Sequence, residues 1–309
     1  MQTWVYALLP TKDEKGNFMP ISKRKMIPWA LLALCPILAA IPKNSLAFSP
    51  DETVDIAIAR RAPPPPGYAD IADLTIGAPL VITGRVKSVK IIKGVTENAP
   101  TEGYARALIT TQVLALIRGE GGIAPEIRYL VDIKTLANGR IGKLKNQSVL
   151  IFAKPADRTG FVQLVSRNAQ MVWSKEREET ARAVTAELLK NDAPPRILAV
   201  GDAFYNPGTV TGEGETQIFL KTATGAPVSL SVLRRPGQPP KWGVSLGELV
   251  DDTALPPERN TLLWYRLACS LPGNLPDNSV RGLSGSDTEA ARIDYSFIIH
   301  ALGTCGRTL

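Results

Sequence analysis

Residues 126–134 read EIRYLVDIK, and within them Ile127, Tyr129, Val131 and Ile133 alternate with Arg128, Asp132 and Lys134. A period of two puts the two sets on opposite faces of a strand, one apolar for a core and one charged for water. Four further runs around it carry the same pattern. Leu80 to Lys93 places Ile82 and Val86 on one face and Arg85 and Lys87 on the other. Tyr104 to Ile117 turns Ala107, Ile109, Val113 and Ile117 inward and Arg106 and Gln112 outward. Val149 to Ala153 and Phe161 to Val165 flank Pro155, Asp157 and Gly160, the residue types of a hairpin loop. Five strands with long first and second members predict a small closed or partly open barrel of the OB type.

Three segments of that region are VITGRVKSVKIIKG (81–94), ARALITTQVLALIRGE (105–120) and NQSVLIFAKP (146–155). Their order resembles the netrin-like, tissue-inhibitor-type OB module of exported proteins: a strand carrying G-x-V, a second ending in an aliphatic-basic-Gly step, and a later strand after a polar turn. The resemblance covers about a third of the chain and implies fold and secretion. Inhibitors of that family chelate the zinc of their target through an N-terminal cysteine. The module here contains none, so that activity is not implied. OB barrels bind ligands on the face of their second and third strands, which assigns Arg106, Gln112, Arg128, Asp132 and Lys134 as candidate ligand-binding residues.

The N-terminal stretch reads as a targeting segment. Lys23-Arg24-Lys25 precedes an apolar run from Met26 to Pro42, and Ser45-Leu46-Ala47 offers small residues to a signal peptidase, with cleavage after Ala47. Pro28, Pro36 and Pro42 interrupt the run, which suits a spanning helix of about 20 residues poorly. The expected location is periplasmic or secreted; an uncleaved leader would instead anchor the chain in the inner membrane. These 47 residues carry six of the 36 basic and two of the 29 acidic residues, so the net charge of +7 falls to +3 in the remainder. No nucleic-acid partner is therefore expected. Residues 48–67 form a tether ending in Pro63-Pro64-Pro65-Pro66-Gly67, a spacer composition. The barrel is assigned to 68–172, a linking helix to 173–195 and an α+β module to 196–309.

The linking helix spans Ser174 to Lys190, with Ala181, Val184 and Leu188 at helical spacing and Glu178 one turn before Arg182. In the second module, strands are read at Ile197 to Phe204, Gln217 to Thr222 and Val228 to Arg234, and helices at Glu258 to Ser270 and Ser286 to Leu302. Cys269 and Cys305, the two cysteines beyond the leader, are expected to form a disulfide in an oxidising compartment. With one histidine in the chain, no multi-His or multi-Cys metal site is available, and no cofactor is expected.

One string has a catalytic look. Gly243-Val244-Ser245-Leu246-Gly247 matches G-x-S-x-G, and Asp251 and His300 follow in the chain order of an α/β-hydrolase triad. The preceding Pro- and Gly-rich residues 236–241 argue against a buried strand leading into an elbow, and favour a turn feeding a short helix near Glu248 to Asp251. Trp173, Trp242 and Trp264 read as core or interface residues rather than a sugar platform. The sequence thus describes a β-rich, α+β protein: an OB-like five-stranded barrel, then an α+β module with C-terminal helices. The expected function is non-enzymatic, binding an unknown protein or envelope component, with a serine hydrolase built on Ser245, Asp251 and His300 as the alternative.

Overall fold

Strong strand formers fill the first half of the chain, and they build one curled sheet. In the computed structural model, which describes residues 65–93, 99–247 and 254–309, the strands are β1 (Leu80–Ile91), β2 (Tyr104–Arg118), β3 (Glu126–Lys134), β4 (Ser148–Pro155), β5 (Val162–Leu164) and β6 (Gln170–Val172). Their order is β3-β2-β1-β4-β5, antiparallel throughout, with β6 pairing to β4 as well. One parallel bridge, Arg128 to Phe161, brings β3 to the entry of β5 and nearly closes the barrel.

The curl depends on Gly84, the glycine of the G-x-V step. The β1–β2 register shifts beside it, and a Cβ there would lie 2.4 Å from Thr111 Cγ2 and 2.8 Å from the Gln112 carbonyl oxygen. Only a residue without a side chain lets β2 cross so closely. Inside the barrel Ile82, Val86, Ile109, Ile127, Tyr129, Val149 and Ile151 pack together, as the alternation predicts. The buried Tyr129 hydroxyl is satisfied by the Thr111 hydroxyl at 3.2 Å.

The unbroken apolar run of β4 has its own cause. Val149, Ile151 and Ala153 face the barrel interior, whereas Leu150 and Phe152 join Val81 of β1 in a second cluster outside it. That cluster is covered by two helices, α1 (Tyr68–Gly77) and α2 (Lys175–Leu188), through Ile71, Leu74 and Ala181. The opposite sides of the same helices, with Ala69, Ala72 and Val184, belong to the core of the second half. Helix α1 was not legible in the sequence, because its apolar residues point in two directions rather than forming one stripe.

The second half holds a four-stranded antiparallel sheet ordered β10-β9-β8-β7, made of β7 (Ile197–Pro207), β8 (Gly214–Thr222), β9 (Val228–Arg234) and β10 (Lys241–Ser245). Against it pack α3 (Leu262–Ala268), a 3-10 turn at Asp277–Val280 and α4 (Gly285–Leu302). The architecture is therefore β-rich and α+β, a barrel-like sheet followed by a second sheet with C-terminal helices. Three details depart from the sequence reading. Lys241–Ser245 is an edge strand rather than a turn, since its alternation lets Trp242 enter the core beside Val232. Helix α3 starts at Leu262, not at 258, because Asn260 has a positive φ of 60° and Thr261 caps the first turn through Trp264 N. Strand β6 is only three residues long, too short for periodicity to reveal.

Cys269 and Cys305 are disulfide-bonded, with Cα atoms 4.9 Å apart, and tie α3 to the segment after α4. That segment then reaches α1. Thr308 donates to Asp70 through its backbone N–H at 2.8 Å and its hydroxyl at 2.7 Å, and Arg307 Nε lies 2.6 Å from Asp73 Oδ2. Ser174 caps α2 at Arg177 N, as the linking-helix boundary requires. Residues 1–64, with the leader, the assigned cleavage site and most of the tether, lie outside the described residues.

Candidate functional site

A nearly closed barrel has a seam, and here it lies between β3 and β5. At Arg128 the seam is held by the backbone N–H donating to the Gly160 carbonyl at 2.8 Å. Past that point β5 turns to pair with β4, Ala153 opposite Leu164, and among the described residues no strand is hydrogen-bonded to the later part of β3 on that side. The space between is a cleft of about 410 Å³ lined by Arg106, Leu130, Asp132, Phe161, Val162 and Arg167, among others. It runs into a second hollow of about 300 Å³, which shares Val131, Asp132 and Arg167 and continues past Lys134 and Gln170.

The walls combine apolar and cationic groups. Leu130 is 54% exposed although it sits mid-strand, directly opposite Leu108 of β2. Phe161 carries the guanidiniums of Arg158 at 4.7 Å and Arg128 at 5.9 Å over its ring, and Arg167 lies 5.7 Å from the Tyr104 ring. Arg106 and Asp132 face each other across β2 and β3 and form a two-pronged pair, Nε to Oδ1 at 2.8 Å and the second nitrogen to Oδ2 at 2.9 Å. Hydrogen bonding from Arg106 outweighs partial burial and holds the Asp132 carboxyl below the usual carboxylate range, so it is an anion at neutral pH.

Of the five residues assigned from the sequence, Arg106 and Asp132 line the cleft, Lys134 lines its continuation, and Arg128 stands at the closing bridge. Gln112 is apart from them, opposite Glu126 at the far end of the same face. Phe161, Arg167 and Leu130 were not singled out in the sequence. Phe161 and Arg167 sit in short connections with no periodicity, and Leu130 breaks the polar alternation of the outer face, a signal that was available.

The serine-hydrolase residues are placed differently. Ser245 ends edge strand β10, paired with Ser229. His300 is exposed on α4, and its hydrogen-bond partner is the Ser296 hydroxyl at 3.5 Å, one turn back on the same helix. Asp251 and the expected helix near Glu248 lie outside the described residues. Trp264 and Trp242 are buried, Trp264 donating to the Leu302 carbonyl at 2.9 Å, while Trp173 is partly exposed and donates to Glu178. Arg234, at the end of β9, reaches in to the buried Asp294 with its Nε at 2.6 Å.

Among the described residues no cluster of three or more His, Cys, Asp or Glu side chains could hold a metal ion. No helix among them is long and apolar enough to cross a membrane. Compared with known proteins, the chain matches no family model and no curated sequence.

Proposed function

We propose that the chain is an exported, non-enzymatic binding protein whose ligand, a protein or another envelope component, occupies the β3–β5 seam of the barrel. The observation that carries this reading is the cleft itself. An exposed mid-strand leucine and a partly exposed phenylalanine stand beside a fixed Arg106–Asp132 pair and the guanidinium of Arg167, the mix of apolar wall and few oriented charges that ligand sites use. Export is supported by the Lys23–Lys25 and Met26–Pro42 pattern of the leader and by the Cys269–Cys305 bridge, since disulfides persist in oxidising compartments. The netrin-like resemblance of residues 81–155 agrees with both. A binding role also suits a chain whose one histidine is a solvent-facing helix residue bonded to a neighbouring serine.

The test has two parts. Mass spectrometry of the chain from a cell envelope or culture medium should find an N-terminus at Phe48 and the two cysteines joined. The immobilised chain should then retain a component of a solubilised envelope fraction that a variant carrying Arg106→Ala, Lys134→Ala and Arg167→Ala loses. Equal retention by both would remove the seam from consideration.

A further inference from the structure

The backbone of β3 has a donor and acceptor pattern that the barrel does not use. In an antiparallel pair, residues of one parity turn their N–H and C=O groups toward the partner, and residues of the other parity turn them away. Val113 N donates to the Pro125 carbonyl and Thr135 N to the Gly103 carbonyl, so the odd residues of this stretch face β2. Arg128 N donates to Gly160 instead, so the even residues face the seam. The next even positions are Leu130, Asp132 and Lys134. Among the described residues none of their seam-facing N–H and C=O groups has a backbone partner, because β5 has by then turned to β4.

This open edge is about 13 Å long at ~3.3 Å per residue, enough for a strand of roughly five residues. It borders both hollows of the seam. Two further observations describe what would lie there. The side-chain oxygen of Gln170, which lines the second hollow, is buried with no hydrogen-bond partner among the described residues, an acceptor open to a donor. Around the seam, Lys134 and Arg158 form no salt bridge among the described residues and Arg167 acts on Asp132 only at longer range, whereas the carboxylates of Glu126 and Asp132 are already paired with Arg128 and Arg106.

From this we infer that the seam accepts an extended, acidic peptide segment of a partner protein, which adds as a strand along the free edge of β3. The main chain of the peptide pairs with Leu130, Asp132 and Lys134. Alternate side chains enter the apolar cleft between Leu130 and Phe161, and its acidic side chains meet Lys134, Arg158 and Arg167. Strand addition of this kind takes affinity from main-chain hydrogen bonds and specificity from alternate pockets. It also protects an edge that would otherwise invite unspecific pairing. The inference rests on the reading of the seam as the binding site and names the class of ligand.

Amide hydrogen exchange on the full chain, followed residue by residue, separates the two. Four additions are compared: an octapeptide of alternating Glu and Val, the same peptide N-methylated on the edge that would face β3, an octapeptide of alternating Lys and Val, and a solubilised envelope fraction. The acidic peptide should slow exchange at Leu130, Asp132 and Lys134 by at least about tenfold, as new strand hydrogen bonds do. The N-methylated peptide, whose methyl groups hold its carbonyl oxygens away from the β3 amides, should leave those amides fast, and the Lys and Val octapeptide should do the same. Slowing by the envelope fraction alone would overturn the acidic-strand inference while keeping the seam as a site. Slowing by none of them would overturn both, and equal slowing by the N-methylated peptide would show contact without strand pairing and also overturn the inference. Lys134→Glu with Arg167→Glu, both exposed positions, should weaken the acidic peptide while Gln112→Ala leaves it unchanged.

Discussion

Replacing Asp70 with alanine should loosen the whole arrangement of helices, although Asp70 touches neither sheet. Its carboxylate is 2% exposed and accepts four hydrogen bonds: Gly67 N at 2.9 Å, Thr308 N at 2.8 Å, Thr308 Oγ1 at 2.7 Å and Leu309 N at 3.0 Å. It therefore caps α1 and clamps residues 308 and 309 onto that helix at once. Bonds to a charged acceptor contribute about 1.5–3 kcal/mol each, but the donors of Thr308 and Leu309 are near solvent and recover water, so the net loss should be about 2–3 kcal/mol. In a folded unit of this size that corresponds to a fall in Tm of about 4–10 °C. The pH dependence is a second readout. Burial pushes the Asp70 carboxyl up, yet the hydrogen bonds from Thr308, Gly67 and Leu309 outweigh it and hold it below its ordinary value. A depressed carboxylate contributes in full above the unfolded-state pKa of about 4, and the contribution is lost as pH falls through the folded value. Thermal melts of wild type and Asp70→Ala at neutral pH should differ, and the difference should narrow as pH falls below about 4. A variant that melts within about 1 °C of wild type at neutral pH, or a gap that persists undiminished in acid, would refute the clamp.

Three other perturbations follow the same logic. Cys269→Ser with Cys305→Ser opens a loop of 36 residues and should cost about 4 kcal/mol, read as a lower urea midpoint that the reduced wild type reproduces. Asp294→Ala removes the fully buried partner of Arg234 and of the Thr216 hydroxyl, which donates at 2.5 Å, and should destabilise the second sheet by about 3 kcal/mol in denaturant titration. Tyr129→Ala empties the barrel centre and should cost about 3–5 kcal/mol, whereas Tyr129→Phe, losing only the bond to Thr111, should cost about 1 kcal/mol.

The barrel was the most legible part of the chain because β2 and β3 are wet on one face, so the inward series Ile127, Tyr129, Val131 and Ile133 keeps its period of two, with Leu130 the one apolar exception on the outer face of β3. Strand β4 was readable as a strand, but the helices on its second face could not be inferred from it, since a run buried on both sides has no period. Helix α1 hides for a related reason: Ala69 and Ala72 serve one core, Ile71 and Leu74 another, and the acidic Asp70, which reads as a surface residue, is buried. The disulfide followed from cysteine count and compartment alone. The site was half visible. Arg106, Asp132 and Lys134 were on the expected face, but the seam is made by the divergence of β5 from β3, a tertiary event with no mark in residues 161–167. Strand β10 was obscured by the Pro and Gly residues before it, which shape the turn but leave Trp242 free to enter the core.

We propose the open edge of the barrel, and not the second sheet, as the binding surface of the molecule. Chemical-shift mapping of the isotopically labelled full chain against a solubilised envelope fraction tests it most directly, because the second sheet offers its own exposed pair, Phe204 and Phe219, as a competitor. The shifts should fall on Leu130 to Lys134 and Phe161 to Arg167. Shifts centred on Phe204 and Phe219 instead, with residues 130–134 unmoved, would contradict it.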